Sequence, residues 1–241
     1  LLQTSLEKYQ NKGVPDRAYS QGWAGMLEEL DSGIGRLLGE LDTLGISDNT
    51  YVVFTTDNGG RGTVPGGNPK SLAVNAPLSG AKHSLLEGGI RVPLMVRGPS
   101  IKAGSVCRVP VAGYDFLPTF HELAGGKGKL SDELDGGSFV TLFSDPKTDS
   151  VKRPIDGLVF SRPRQGLAVI RAGQWKLLAE VNAKREIQSA KLFTVGEDIA
   201  EKLDLSATQA DKAKQLHTRL KTYLENVVDP SPTMKRRKNA E

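Results

Sequence analysis

The chain has 241 residues, of which 38% are hydrophobic and 25% charged, a composition typical of a globular protein that buries a core. The formal net charge is +4, and the terminal cluster Lys235, Arg236, Arg237 and Lys238 supplies four positive charges, so nucleic acid is not expected as a partner of the otherwise neutral chain. The one cysteine, Cys107, excludes an internal disulfide and a thiolate metal cluster, and no apolar stretch approaches the ~20 residues of a membrane span.

The first predicted elements are a helix and a strand. From Ser20, apolar residues recur at the three- and four-residue spacing of an amphipathic helix that ends near Gly45. After a turn, the run Tyr51 to Thr56 consists of β-branched and aromatic residues. This pattern predicts a strand buried on both faces of a parallel sheet, and the strand ends at Asp57-Asn58-Gly59-Gly60.

The next segment contains a long loop, a strand and a helix. Residues 61–80 are rich in Gly, Pro and Asn and predict a loop, whose length is typical of functional loops. Arg91 to Val96 predicts a second short strand, and Asp115 to Ala124 predicts a helix with Asp115 as its cap and Gly125 as its stop. The order helix, strand, loop, strand, helix indicates an α/β fold.

The pattern changes in the last third of the chain. Residues 125–154 are rich in Gly, Asp, Ser and Lys and predict a linker or surface excursion. Short strands follow at 158–161, 167–171, 175–180 and 191–194, and a capping box at Ser206 and Gln209 predicts a final helix. We therefore expect an α/β portion over residues 1–150 and, over residues 151–241, a small antiparallel sheet packed on a C-terminal helix.

Asp57 and Asn58 are the first candidate site residues. They follow a predicted buried strand, and open α/β sheets bind ligands at the carboxyl ends of their strands. A carboxylate and an amide carbonyl suit calcium or magnesium, whereas a zinc site favours imidazole or thiolate. Asp-Asn-Gly-Gly is equally good turn chemistry, so the tetrapeptide alone leaves a plain turn open.

The second candidate cluster is the segment from Gly80 to Pro93. It carries Lys82, His83, Glu87 and Arg91 among glycines that permit close backbone approach to a ligand. Lysine is a compact point charge suited to binding an anionic oxygen. The alternative is a structural ion pair between Glu87 and Arg91, with Lys82 merely solvated.

These two segments together resemble motifs of the sulfatase family, including the arylsulfatases. Val53 to Gly60 resembles the family strand that ends in Asp-Asn-Gly, and Gly80 to Pro93 resembles its Gly-x-Lys-x-x-x-x-Glu-Gly-Gly-x-Arg-x-Pro block. The resemblance extends over nearly the whole chain, to the helix at 26–44, the Asp-x-x-Pro-Thr helix at 114–126, the Gly-x-Trp-Lys-Leu hairpin at 171–178 and the stretch 192–205.

The resemblance implies a fold like alkaline phosphatase, with a mainly parallel sheet that is incomplete here. It implies a Ca²⁺ ion, for which Mg²⁺ is a substitute, with Asp57 and Asn58 as two ligands. Lys82 matches the lysine that binds the sulfate ester. His83 stands where many relatives have glycine and is a candidate for shaping the substrate pocket or donating a proton. Glu87 and Arg91 would hold the metal- and sulfate-binding residues in position without contacting the metal or the substrate themselves.

One departure from the family concerns the nucleophile. Sulfatases form formylglycine from a cysteine or serine in Cys/Ser-x-Pro-x-Arg, and this motif does not occur in the sequence, where Cys107 is followed by Arg108-Val109-Pro110. The chain starts at Leu1 without an initiator methionine or signal pattern. We expect it to be the C-terminal part of a longer protein, inactive alone, whose full-length form is periplasmic or secreted.

The leading hypothesis is therefore a sulfuric ester hydrolase acting on a sulfate ester, with sulfated carbohydrate as the favoured substrate class. A phosphatase or phosphodiesterase of the same superfamily is the alternative enzyme, although such relatives commonly present Asp-His-Gly to zinc where this chain has Asn58. A non-catalytic remnant that acts as a binding module is the alternative outside enzymes.

Overall fold

The computed structural model describes residues 3–10, 20–62, 75–145 and 147–227. The predicted basic tail and most of the predicted loop at 61–80 lie outside these residues. The helices are α1 (Gln3–Gln10), α2 (Gln21–Thr43), α3 (Glu87–Ile90), α4 (Phe116–Leu123) and α5 (Ala210–Asn226). The strands are β1 (Val52–Thr55), β2 (Leu94–Arg97), β3 (Leu158–Arg162), β4 (Leu167–Ala172), β5 (Trp175–Val181) and β6 (Ile187–Thr194). None of the helices in this part of the chain is long and apolar enough to cross a membrane.

Helix α2 confirms the amphipathic helix predicted after Ser20. The Ser20 hydroxyl accepts a hydrogen bond from the Trp23 N–H at 3.2 Å, which caps the start of the helix. At the other end Gly45 has φ +67°, and the N–H groups of Gly45 and Ile46 donate to carbonyls of the last turn. This is a Schellman motif, which requires the left-handed backbone that glycine adopts without strain. The sequence signals therefore set both ends of α2.

The first sheet contains two described strands. β1 and β2 pair antiparallel, with Val52 opposite Arg97 and Thr55 opposite Leu94. β1 is half-buried along its length, and the parallel pairing expected for it does not occur among the described strands. Parallel strands need a long crossover connection, usually a helix. The described part of the connection from β1 to β2 contains only the four-residue helix α3, which is too short for such a crossover. The mixed α/β character is confirmed, and a parallel neighbour of β1 stays a prediction.

The second sheet is the predicted antiparallel one. Its strand order is β3-β4-β5-β6, and each strand pairs with its neighbour in sequence. β4 and β5 form a tight hairpin in which Ala172 pairs with Trp175 and Gly173 has φ +58°. The four predicted strands are confirmed, and β6 begins earlier than predicted, at Ile187.

Helix α5 covers one face of this sheet. Leu216, Leu220 and Leu224 are at most 3% exposed and pack with apolar residues of β3 to β6. The predicted capping box does not form, because the Ser206 N–H donates to Asp204 Oδ1 at 2.9 Å and α5 begins only at Ala210. Burial of the leucine stripe, rather than a cap, therefore holds this helix in place.

The predicted linker or surface excursion at 125–154 is exposed over most of residues 125–135 and packed around Phe139. Phe139 is 2% exposed, and its ring lies 6.0 Å from that of Phe116 on α4. Asp115 does not cap α4. Its buried carboxylate accepts from the N–H groups of Ala112 and Gly137 and from the Arg153 guanidinium, with both Arg153 contacts at 2.8 Å. The surface excursion is therefore confirmed for residues 125–135, whereas a buried aromatic ring and a buried ion pair fix Phe139 and Arg153 in the packed part.

Candidate functional site

The tetrapeptide Asp57 to Gly60 leaves the end of β1 as a turn. The Asp57 side chain is exposed, and Asn58 is half-buried. The Asn58 amide nitrogen donates to the Gly59 carbonyl at 2.9 Å, so the hydrogen-bonded nitrogen fixes the orientation of the side-chain carbonyl. The strand end thus presents two side chains that carry hard oxygen atoms. A turn at Asp57 to Gly60 is compatible with Asp57 and Asn58 as metal ligands.

The structure brings this turn against the Gly80 to Arg91 segment. The Gly59 N–H donates to the Gly89 carbonyl at 2.9 Å, and the Lys82 N–H donates to the Gly60 carbonyl at 2.9 Å. Two segments that are more than twenty residues apart in sequence are therefore joined by direct backbone hydrogen bonds. The backbone of Lys82 thus lies against the turn that carries Asp57 and Asn58, and a site shared by their side chains stays a prediction.

Asn75 is a further residue of this junction, and the sequence analysis missed it. Its Oδ1 accepts from the Gly60 N–H at 3.1 Å, and its Nδ2 donates to the carbonyls of Gly60 at 3.0 Å and Gly80 at 3.1 Å. The amide therefore bridges the two segments. Nothing in the spacing of the sequence distinguishes Asn75 from its neighbours in the predicted loop.

The glycines of both motifs are required by close packing. A Cβ at Gly59 would lie 1.9 Å from the Gly88 carbonyl oxygen, and a Cβ at Gly88 would lie 2.3 Å from the Gly80 carbonyl oxygen. Real Cβ atoms do not approach backbone so closely, so only glycine fits at these contacts. The Gly-Gly pairs therefore serve the approach of protein backbone to protein backbone.

Lys82 and His83 lie at the exposed side of this junction. Both side chains are exposed, and His83 has φ +80°, a left-handed conformation that is uncommon for a residue with a Cβ. The Ser84 N–H donates to the Ala81 carbonyl at 2.8 Å, so the two residues form the centre of a tight turn. Such strain in a non-glycine residue often marks functional sites.

Glu87 is buried and does not pair with Arg91. Its side chain is 0% exposed, its Oε1 lies 3.1 Å from Lys176 Nζ, and its Oε2 lies 3.3 Å from Arg171 Nη1. Arg91 is exposed, and its backbone N–H, not its side chain, contacts the Glu87 carbonyl at 2.7 Å. Among the described residues, Glu87 thus has its ion pairs with the second sheet.

Glu201 completes this cluster, which sequence reasoning also missed. Its Oε1 lies 2.7 Å from Lys176 Nζ, and its Oε2 accepts the Glu87 N–H at 2.6 Å. Burial raises the pKa of Glu201 above its ordinary value of 4.5, although the Lys176 ammonium opposes this shift. A usable signal existed for Lys176, because it interrupts the apolar run of β5 at an inward position.

The oxygen atoms of Asp57 and Asn58 fit a hard cation in kind but not in number. Calcium takes about six to eight oxygen ligands. Within the described ranges, no group of three or more His, Cys, Asp or Glu side chains is placed to hold a metal ion. These residues could therefore supply two ligands of a calcium or magnesium site whose other ligands come from elsewhere.

Comparisons with known proteins identify the family. A model of the Sulfatase family matches residues 6–126, which is half of the chain. Mouse (Mus musculus) steryl-sulfatase is 33% identical over 149 residues, covering 58% of this chain and 23% of the relative. Goat (Capra hircus) N-acetylglucosamine-6-sulfatase is 33% identical over 127 residues, covering 53% of this chain and 20% of the relative.

The structural comparison extends over both sheets. The crystal structure of Ps i-CgsB in complex with k-i-k-neocarrahexaose superposes with a TM-score of 0.75 at 31% identity, covering 97% of this chain and 49% of that one. This confirms the predicted fold class, an alkaline-phosphatase-like α/β fold followed by a small antiparallel sheet and a helix. The chain spans about half the length of this structural relative and less than a third of the curated relatives. With half of its length matched by the family model, the chain belongs to the sulfatase family.

Proposed function

We propose that the full-length protein hydrolyses sulfate esters and that this chain contributes part of the metal and sulfate site. The observation that carries the proposal is the hydrogen bond from the Lys82 N–H to the Gly60 carbonyl at 2.9 Å. It brings the lysine segment against the turn with Asp57 and Asn58. Family membership makes sulfate ester hydrolysis the expected general chemistry of this arrangement.

Each of the four candidate site residues has a proposed role. Asp57 and Asn58 would bind Ca²⁺, or Mg²⁺ in its place, and the ion would act as a Lewis acid toward the sulfate oxygens. Lys82 opposes the negative charge that develops on the sulfuryl oxygens as the bond from sulfur to the alcohol oxygen breaks. His83 is close enough in sequence to serve the same pocket and would give a proton to the leaving oxygen.

The nucleophile has to come from residues outside this sequence. We propose a formylglycine made from cysteine or serine, as the family resemblance implies, and its motif Cys/Ser-x-Pro-x-Arg does not occur in the 241 residues. The chain on its own is therefore expected to be inactive. Glu87 and Arg91 are assigned supporting positions, Glu87 as a buried anchor and Arg91 through its backbone contact with Glu87.

Sulfated carbohydrate is the proposed substrate class. The structural relative Ps i-CgsB was crystallised with k-i-k-neocarrahexaose, and the goat relative is named N-acetylglucosamine-6-sulfatase. The mouse relative is named for a steryl sulfate, so the alcohol part of the substrate is open to test. The predicted periplasmic or secreted location stays a prediction that cell fractionation can check.

The test is an assay of the full-length protein with 4-nitrophenyl sulfate and 4-nitrophenyl phosphate, together with metal analysis. We expect sulfate release that depends on Ca²⁺ and is lost on chelation. Lys82→Ala should lower kcat by about a hundredfold or more, the effect of removing one preorganised charge partner. Lys102→Ala, which removes an exposed lysine on another loop, is the matched control.

Two results would overturn the proposal. Hydrolysis of the phosphate ester with bound zinc, and none of the sulfate ester, would assign a phosphatase or phosphodiesterase. Tight binding of sulfated oligosaccharide without turnover of either ester would assign a non-catalytic binding module.

A further inference from the structure

Lys176 is a fully buried ammonium group that the proposed chemistry does not use. Its side chain is 0% exposed and lies between two carboxylates, Glu87 Oε1 at 3.1 Å and Glu201 Oε1 at 2.7 Å. Arg171 adds a second positive charge at 3.3 Å from Glu87 Oε2. These two cations and two anions, of which Arg171 alone is partly exposed, form one cluster with no net formal charge, hereafter the Lys176 cluster.

Such a cluster is a poor way to gain stability alone. Each buried ion loses its hydration, and well-packed apolar residues of similar volume are often as stable or more so. What the cluster fixes instead is position, because charged partners at 2.7 to 3.1 Å permit little displacement. The feature therefore points to a requirement for precise placement of the backbone that carries Glu87.

That backbone leads directly to the proposed site. Glu87 is the first residue of α3, and its N–H donates to Glu201 Oε2 at 2.6 Å. Two residues further on, the Gly89 carbonyl accepts the Gly59 N–H at 2.9 Å, and Gly59 follows Asp57 and Asn58. One short path of contacts thus links Lys176 on β5 to the turn with the proposed metal ligands.

A second path leads to the Lys82 segment. The Ser79 hydroxyl donates to the Ala200 carbonyl at 2.6 Å, beside Glu201. The Gly88 N–H donates to the Ser79 carbonyl at 2.8 Å. The turn at Ala200 and Glu201 therefore holds the segment before Lys82 as well as α3. Glu201 itself has φ +55°, so its side chain is presented from a left-handed backbone.

We propose that Lys176 and Glu201 are positioning residues of the sulfate ester site, through which the C-terminal sheet sets the placement of Asp57, Asn58 and Lys82. The inference rests on the proposed function and assigns a role in it to the second sheet. Neither residue touches the substrate; both act through Glu87 and the glycine backbone. Loss of the Lys176 cluster should make the site segments more mobile while the protein stays folded.

The first test is hydrogen exchange of the full-length protein without added substrate. In Lys176→Met, amides of residues 57–60 and 79–90 should exchange faster by about tenfold or more, because local opening no longer has to break the buried ion pairs that hold these segments. Lys191→Met removes an exposed lysine from the neighbouring strand β6 and is the matched control, with unchanged exchange. Unchanged exchange at 57–60 in a folded Lys176→Met protein would overturn the inference.

Two further variants keep the test decisive if Lys176→Met fails to fold. Glu201→Gln retains an oxygen that can accept the Glu87 N–H but removes one charge of the cluster. The double variant Lys176→Met with Glu201→Gln removes one charge of each sign, so the remaining Glu87 and Arg171 stay balanced. Each folded variant should show the faster exchange at 57–60, and exchange equal to that of the unmodified protein would count against the positioning role.

A kinetic measurement separates positioning from simple loss of folded protein. For 4-nitrophenyl sulfate, the Ca²⁺ concentration for half-maximal activity and KM should rise by about tenfold in the variants. A purely structural role would lower the fraction of active molecules and leave both constants unchanged. If the unmodified protein cleaves no sulfate ester, the proposed function fails, and hydrogen exchange alone still decides whether Lys176 and Glu201 hold the two segments.

Discussion

Gly59 lies where the two halves of the proposed site touch backbone to backbone. An added Cβ would lie 1.9 Å from the Gly88 carbonyl oxygen. The segment with Gly88 cannot move away, because Gly88 and Gly89 are themselves packed closely against other backbone atoms. The Asp-Asn-Gly-Gly motif thus combines two candidate ligands with the residue that lets them approach the lysine segment. At the scale of single residues, the motif glycine is as specific a requirement as the carboxylate.

Gly59→Ala should destabilise the protein and displace the site. We expect a loss of about 2 kcal/mol in the free energy of unfolding, the cost of overpacking at a closed contact. Gly33→Ala on α2 is the control, because nothing lies within 4 Å of its added Cβ and alanine stabilises a helix by about 0.5–1 kcal/mol. Urea denaturation measures both. Equal stability of the two variants would contradict the close contact at Gly59.

For His83, unlike Gly59, we expect a substitution to change stability and activity in opposite directions. Its φ of +80° costs a residue with a Cβ about 1 kcal/mol that glycine does not incur. His83→Gly should therefore be the more stable protein by about that amount and, if His83 donates the proton, the slower enzyme by about a hundredfold. His83→Asn should be near neutral in stability, because asparagine tolerates this conformation. Unchanged kcat in His83→Gly would assign the histidine to the surface.

At the scale of elements, the Asp204 carboxylate links the loop after β6 to that strand, beside the backbone hydrogen bond from the Leu205 N–H to the Leu192 carbonyl at 2.8 Å. Asp204 Oδ1 accepts the N–H groups of Leu192 at 3.2 Å and Ser206 at 2.9 Å. Partial burial alone would raise the pKa of Asp204, but these hydrogen bonds outweigh it and lower the pKa below its ordinary value of 3.8. The ionised form is therefore favoured in the folded state.

The sign of the resulting pH dependence follows from this lowered pKa. The carboxylate contributes stability above its unfolded pKa of 3.8 and loses that contribution as the pH falls through the folded value. Between pH 6 and pH 3, unfolding free energy should fall more for the unmodified protein than for Asp204→Asn, which keeps an acceptor but does not titrate. Asp132→Asn, at an exposed pair with Lys129, is the control. Parallel pH profiles for the unmodified protein and Asp204→Asn would contradict the hydrogen-bonding role.

At the scale of the whole molecule, helix ends and turns could be predicted from the sequence, whereas strand pairing and buried contacts between distant residues could not. Ser20 and Gly45 bounded α2 correctly, and the hairpin at Gly173 was evident, because caps and turns depend on neighbouring residues. The antiparallel pairing of β1 with β2 and the packing of Phe139 depend on contacts between distant residues. The same holds for Glu87, whose partners Lys176 and Glu201 lie about ninety or more residues away.

These distant contacts cross the predicted boundary at residue 150. The Lys176 cluster joins α3 to the second sheet, and the buried Asp115 carboxylate accepts two 2.8 Å hydrogen bonds from Arg153. Breaking either would leave a buried charge without its partner, which costs about 3–5 kcal/mol. Residues 1–150 and 151–241 should therefore be coupled in stability, although their sequence patterns differ.

The two tryptophans report this coupling because each lies in a different portion, Trp23 on α2 and Trp175 on β5. In the 241-residue chain, Trp23→Phe leaves fluorescence from the second sheet, and Trp175→Phe leaves fluorescence from the α/β portion. We expect the two urea transitions to share one midpoint, because unfolding of either portion exposes the charges that it shares with the other. Distinct midpoints would show that residues 151–241 fold as an independent domain, and the buried ion pairs would then stabilise the contact without coupling the folds.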